Sequence, residues 1–153
     1  MHAQNVNQGH PAEKPEIQRI LSNLSSNLDQ FEYLQKKLET SGKNNTSYDE
    51  NKNIWLSSVL AVQAISSICE NEQDLLNLFW DLKSSRRMNY IDVRIRSLDT
   101  SIRQLNIMME QIRINHKLLP PDLAEIDMFN GLKIRVNSTI DLLRSSIALI
   151  KNK

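Results

Sequence analysis

His116 is the side chain of this 153-residue sequence whose type and position most directly suggest chemistry. It occupies a heptad position that hydrophobic residues hold elsewhere on its predicted helix, and Pro120-Pro121 follows four residues later. A histidine can bind a metal ion, transfer a proton or titrate near neutral pH. A di-metal bundle, however, needs Glu-x-x-His pairs, and the residue three before His116 is Arg113. The sequence therefore predicts a partly solvated histidine near a bundle end, bonded to a neighbouring side chain or loop carbonyl.

Cys69 is the single cysteine, which excludes an internal disulfide, a cysteine-rich zinc site and a C-x-x-C-H haem attachment. It lies at helical spacing from Ile65 and Leu76, which predicts a buried, unreactive thiol. A haem held by His116 and a methionine is the remaining cofactor hypothesis. The simpler interpretation is that the protein has no cofactor and no metal site. Because the sequence also lacks a Gly-rich phosphate loop, we expect a protein that is not an enzyme.

Charged residues at core positions of the predicted helices form the third group of candidates. Glu72 and Lys133 occupy such positions, and in an antiparallel bundle Glu72 lies at about the height of Arg103. A buried carboxylate is costly unless it is paired. We therefore predict a polar core layer in which Glu72 contacts Arg103 or Lys133. The functional alternative is an anion pocket made by Arg19, Arg103 and Arg135, and the simpler one is that these long side chains reach solvent.

These side chains must be positioned by helices, because hydrophobic residues recur at alternating steps of three and four from about residue 16 onward. Only three glycines and four prolines interrupt the chain. The predicted helices span residues 15–41, 48–84, 89–119 and 121–151. The heptad crosses Asn130-Gly131 in register, so we predict that the last helix continues through this pair.

Short connections between helices of similar length imply antiparallel neighbours. The predicted fold is all-α: an up-down-up-down antiparallel four-helix bundle that forms one domain over residues 15–152. A polar stretch, residues 1–14, is expected to be a disordered tail. Its composition fits either a native cytosolic terminus or what remains after a leader is removed, and we favour a secreted or periplasmic protein.

Net charge and hydropathy limit the kinds of partner that we expect. The formal net charge of +1 provides no field that would attract nucleic acid or an anionic membrane. No run of about 18 apolar residues is present, so we expect no membrane span. What remains is a protein that binds another protein or a second copy of itself, or one that binds a small ligand.

The break after the second predicted helix holds the residues we predict to bind a partner. Aromatic and arginine side chains are enriched at interface hot spots, and Trp80, Arg86, Arg87 and Tyr90 lie close together in sequence here. The alternative is that Trp80 covers the end of the bundle. Our leading hypothesis is a non-catalytic bundle that acts by protein–protein interaction, as an adaptor, a chaperone-like protein or a self-associating one. The alternatives are a secreted or periplasmic small-ligand-binding bundle and an all-α enzyme for an anionic substrate.

Overall fold

A computed structural model describes residues 14–43, 48–120 and 126–152 of the chain, and these residues form helices and no strand. Four long helices dominate the fold. They are α1 (Lys14–Lys43), α2 (Tyr48–Asp81), α4 (Ile91–Leu118) and α5 (Ile126–Lys151). A short helix α3 (Ser84–Arg87) and a 3₁₀ turn (Met88–Tyr90) connect α2 to α4. The protein is therefore all-α, as its heptad pattern predicts.

Local signals explain where several helices begin and end. Pro15 is the second residue of α1, a place where its missing N–H costs nothing. Leu119, the residue before Pro120, takes an extended conformation, because a proline disfavours a helical residue before it. The helix α5 continues through Asn130 and Gly131, as the heptad register predicts.

Some expectations fall on parts of the chain outside the described residues. These are residues 1–13, which make up nearly all of the predicted tail, and the segment 121–125, with which the last helix was expected to begin.

Each long helix packs against two others: α1 and α4 both contact α2 and α5. The contacts between α1 and α2 run in opposite directions along the two helices. Trp55 Nε1 donates to the Leu38 carbonyl at 3.2 Å, and further along α2 the Cys69 thiol contacts the Leu24 carbonyl at 3.5 Å. Residues later in α2 therefore contact residues earlier in α1.

The contacts between α2 and α4 have the same sense. Ser57 near the start of α2 accepts a hydrogen bond from Asn115 near the end of α4, at 3.1 Å. Glu72, further along α2, is bonded to Ser101 and Arg94 in the first half of α4. These two levels set the register in which α2 and α4 face each other.

The core lies along the common axis of the four long helices. Its fully buried apolar side chains come from all four helices and include Leu24, Phe31, Ile65, Leu76, Leu98, Leu105, Val136, Leu143 and Ile150. Burial of each such side chain contributes about 1.5–3 kcal/mol relative to exposure. Hydrophobic packing therefore holds the helices in the positions from which their polar side chains meet.

Candidate functional site

The connection between α2 and α4 is built around Arg87, one of the residues predicted to bind a partner. Arg87 is only 3% exposed, and Trp80 is 6% exposed. The guanidinium lies 5.4 Å from the centre of the Trp80 ring. It donates to the carbonyls of Trp80 and Leu82 and to Ser84 Oγ. Arg87 therefore satisfies carbonyl groups at the end of α2 that the helix itself leaves without donors.

The other two residues of the predicted set remain at the surface. Arg86 is exposed, and Tyr90 is 50% exposed. The structure thus divides the set: Trp80 and Arg87 are buried within the turn, whereas Arg86 and Tyr90 face solvent. Trp80 is buried because the Phe79 ring packs edge-on against it at 5.1 Å and Arg87 covers it, which favours the alternative that Trp80 covers the end of the bundle.

Glu72 lies inside the bundle, as predicted, but with different partners. Its side chain is 2% exposed, and Oε1 accepts a hydrogen bond from Arg94 Nη1 at 3.0 Å. Oε2 accepts from Ser97 Oγ at 3.1 Å and from Ser101 Oγ. Three donors from α4 therefore satisfy this buried carboxylate, which makes a fixed link between α2 and α4.

The remaining members of the predicted polar layer are elsewhere. Arg103 and Lys133 are both exposed, so neither shares a layer with Glu72. Arg103 follows Arg94 by nine residues, which rotates it by about 180° around α4 at 100° per residue. The predicted Glu72–Arg103 and Glu72–Lys133 contacts are therefore corrected to Glu72–Arg94.

A second polar core contact, which the sequence reasoning missed, joins α1 to α5. Asn27 is 2% exposed, and its Nδ2 donates to Thr139 Oγ1 at 3.0 Å and to Ser138 Oγ at 3.1 Å. Its Oδ1 accepts from Arg135 Nη1 at 3.2 Å. The signal was present in the sequence, since Asn27 lies one heptad after Ile20. A single polar residue in such a row is a known means of fixing helix register.

The three arginines of the predicted anion pocket do not come together. Arg19 is paired with its neighbour Glu16 on the surface of α1. Arg135 contacts Asn27, which lies eight residues or about 12 Å further along α1 than Arg19. Arg103 is on the exposed side of α4. The described residues therefore do not form the anion pocket from these side chains.

Cys69 is fully buried, and its thiol points to the Leu24 carbonyl. Burial raises the pKa of this thiol to about 12. A thiol is nucleophilic only as the thiolate. The geometry therefore agrees with the predicted unreactive cysteine.

His116 faces a small apolar cavity between the four long helices. The cavity has a volume of about 40 Å³, and its walls include Ser58, Ile112, Met128 and Phe129. The imidazole stacks on the Phe129 ring, with centroids 4.5 Å apart and an angle of 27° between the planes. Its Nε2 is buried and has no hydrogen-bond partner among the described residues. The side chain is half-buried, as predicted, and it stacks on Phe129, whereas the loop that was expected to offer it a carbonyl lies outside the described residues.

The outward side of α2 and α4 carries most of the exposed apolar side chains. On α2 these are Leu56, Leu60, Leu75 and Leu78. On α4 they are Val93, Ile107, Ile114 and Leu118. A groove between the two helices brings Leu56 and Leu60 together with Met108. We refer to the surface formed by these eight residues, and the residues between them, as the α2/α4 face.

The α2/α4 face is also nearly free of charge. On α4 its two heptad rows are Val93, Thr100, Ile107 and Ile114, and Ser97, Gln104, Gln111 and Leu118. On α2 the row beside α4 is Ser57, Ala64, Asn71 and Leu78. Asp74 on α2 and Arg96 on α4 are charged and lie at the margins of the face. Lysine and glutamate normally dominate exposed helix positions, so heptad rows without them on two adjacent helices make an unusual surface.

Among the described residues, no group of three His, Cys, Asp or Glu side chains is arranged to hold a metal ion. None of the helices within the described ranges is long and apolar enough to cross a membrane.

Comparison with known proteins does not assign the chain to a class. The sequence matches no family model and no curated protein, and the fold matches no solved structure. Function must therefore be argued from the surface and the cavity themselves.

Proposed function

We propose that this chain is an up-down-up-down antiparallel four-helix bundle that works by binding a protein, without a catalytic step of its own. The α2/α4 face is the binding surface, and the partner presents helices that are likewise apolar and uncharged. The main support for this proposal is the position of the exposed hydrophobic residues. Of the twelve large hydrophobic side chains exposed among the described residues, eight are on this face.

The distribution of these side chains supports a macromolecular partner. Leu60, Ile107 and Ile114 are 54%, 61% and 43% exposed, so each leaves apolar surface in water. Monomeric proteins rarely expose contiguous apolar patches larger than a few hundred Å² unless the patch has a function. A partner that covers the face removes this surface from water, which is the main source of binding free energy.

Of the predicted binding residues, only Arg86 and Tyr90 are accessible, so we place the binding surface on the α2/α4 face. Trp80 and Arg87 are buried in the connection between α2 and α4, so they act by holding that connection together. Tyr90 and Met88 remain exposed beside the Val93 end of the face.

A photocrosslinking experiment in cells of the source organism tests the proposal. Ile107 is replaced by the photoreactive amino acid p-benzoylphenylalanine, and a matched chain carries it at Ile134, which is 66% exposed on α5. We expect a discrete adduct from position 107 that is absent from position 134. Introducing Leu60→Glu into the same chain should remove the adduct while the circular dichroism spectrum stays unchanged. Equal adducts at both positions, or none, would overturn the proposal.

The His116 cavity supports a second candidate function, the binding of a small and mostly apolar ligand. Four helices line it, and the buried Nε2 of His116, which has no partner within residues 14–43, 48–120 and 126–152, can form one hydrogen bond with a ligand. Leaving such an atom unsatisfied costs about 1–3 kcal/mol, which a ligand hydroxyl would recover. A volume of about 40 Å³ limits the ligand to a few non-hydrogen atoms.

Titration with short alcohols, followed by NMR of the His116 ring, tests this second function. We expect the ring resonances to move and saturate for one chain length, and to respond weakly to longer alcohols that the cavity cannot hold. In a His116→Leu variant, the methyl groups of Leu132 should lose the saturable response. A linear response for every alcohol would contradict the hypothesis.

A further inference from the structure

We infer that the partner of the α2/α4 face is a second copy of this chain, related to the first by a twofold axis that runs along the helices. This inference rests on the proposed function and names its partner. The axis places α2 of each copy over α4 of the other and keeps like ends of the two bundles together.

The size of the face suits a stable dimer. The 28 residues of α4 extend about 42 Å at 1.5 Å per residue. Two helices packed 8–10 Å apart present a width of about 18 Å. Their product is roughly 750 Å², close to the value of about 800 Å² per partner in a stable interface.

The composition of the face also suits a second copy. Its uncharged rows would leave a charged partner without complementary groups, whereas an identical face brings no unpaired charge into the contact. The net charge of +1 causes little repulsion between copies. The heptad spacing of Val93, Thr100, Ile107 and Ile114 matches the spacing at which helices interdigitate.

Charges at the two margins of the face select this axis over the alternative twofold axis. Exposed acidic residues, Glu70 and Asp74, lie along the margin of α2. Exposed basic residues, Arg96, Arg103 and Lys117, lie along the margin of α4, together with Glu110, which pairs with Arg113. A twofold axis along the helices brings the acidic margin of one copy against the basic margin of the other. An axis across the helices would instead oppose the two acidic margins.

The levels of these charges along the bundle agree with the inferred pairing. Ser57 is level with Asn115, and Glu72 is level with Ser101. In the same register, Glu70 is level with Arg103, and Asp74 is within one turn of Arg96. An axis parallel to the helices keeps every residue at its own height. Glu70 and Asp74 of one copy therefore each face a basic residue of the other copy, and each of these pairs occurs twice in the dimer.

Sedimentation equilibrium of the full chain, combined with charge reversal, tests the inference. We expect a species of twice 17.7 kDa at concentrations of about 1–200 μM. Asp74→Arg alone and Arg96→Asp alone should each weaken dimerisation by about tenfold, because each places like charges together. The double variant should recover to within about threefold of wild type. Ile134→Glu, away from the face, is the control and should leave the dimer unchanged.

The outcomes separate this inference from the proposed function. The chain could stay monomeric throughout the concentration range while position 107 still forms an adduct with a different protein. That result would overturn the inference of a second copy and leave the proposed protein binding in place. A monomer without any adduct overturns both. A dimer in which the double reversal gives no recovery, or which Ile134→Glu disrupts, contradicts the inferred arrangement.

Discussion

Glu72 on α2 and Arg94 on α4 form an ion pair inside the bundle, with Oε1 and Nη1 3.0 Å apart and both side chains less than a tenth exposed. Ser97 and Ser101 donate to the second carboxylate oxygen, so the charge is fully hydrogen-bonded. Such a pair gives little net stability, because removing both charges from water offsets their attraction. Because the acid lies on α2 and all three donors lie on α4, the pair links the two helices that form the α2/α4 face.

Removing one partner of this pair should cost far more than removing both. Arg94→Ala leaves a buried carboxylate without its counter-charge, so we expect the free energy of unfolding to fall by about 3–5 kcal/mol. The double variant Glu72→Leu with Arg94→Leu should lose much less, or gain stability, because the buried charges are gone. Urea denaturation of the single and double variants measures both values. A double variant as unstable as Arg94→Ala would show that the register depends on these hydrogen bonds rather than on packing.

The same pair shows what the sequence could and could not predict. Heptad spacing placed Glu72 in the core, and the cost of a buried carboxylate required a partner. The estimated height of Glu72 along the bundle correctly pointed to a partner on α4. The angle around α4, however, determines which arginine faces Glu72. Arg94 shares the side of α4 that Ser101 occupies, whereas Arg103 is about 180° away. The height of a residue along the bundle does not by itself distinguish Arg94 from Arg103.

The site residues were harder to predict than the fold, because the fold depends on many residues and each site on a few. The helices follow from dozens of apolar positions, so a polar residue such as Asn27 within a row does not disturb the pattern. By contrast, the predicted role of Trp80 depended on its exposure, which Arg87 determines through a contact seven residues away. The exposed leucines of α2 look like ordinary core residues until the position of α4 shows which side is outward.

Two glycines should respond in opposite directions to the same substitution. A Cβ on Gly42 would overlap the Trp55 indole, which is held there by its hydrogen bond to the Leu38 carbonyl. Gly42→Ala should therefore destabilise the protein by about 1–3 kcal/mol. A Cβ on Gly131 would meet nothing within 4 Å, so Gly131→Ala should stabilise α5 by about 0.5–1 kcal/mol through helix propensity.

Thermal denaturation followed by circular dichroism measures both glycine variants. A melting temperature that rises for Gly131→Ala and falls for Gly42→Ala is the expected pattern. Equal effects in either direction would show that α1 is free to move away from Trp55.

The Cys69 thiol should react with alkylating reagents only when the protein unfolds. Its pKa is raised from 9.0 to about 12 by burial, so at pH 8 the native thiolate fraction is about a thousandfold below that of an ordinary cysteine. Because the native state holds this proton more tightly, the resulting stability is present below pH 9 and is lost as the pH rises toward 12. Iodoacetamide labelling followed by mass spectrometry checks the first statement. Labelling at the same rate with and without urea would contradict it.

Arg87 and Arg86 are adjacent in sequence but should differ sharply when each is replaced by alanine. Arg87→Ala removes the donor that satisfies the carbonyls of Trp80 and Leu82 and the cation that covers the indole, so we expect a loss of about 1–3 kcal/mol. Arg86→Ala changes an exposed side chain and should stay within about 0.5 kcal/mol of wild type. Urea denaturation gives the two stabilities, and the tryptophan emission of Arg87→Ala should shift to longer wavelength as water reaches Trp80. If Arg86→Ala instead weakened dimerisation while Arg87→Ala left stability unchanged, the connection between α2 and α4 would be a binding surface, as the sequence first suggested.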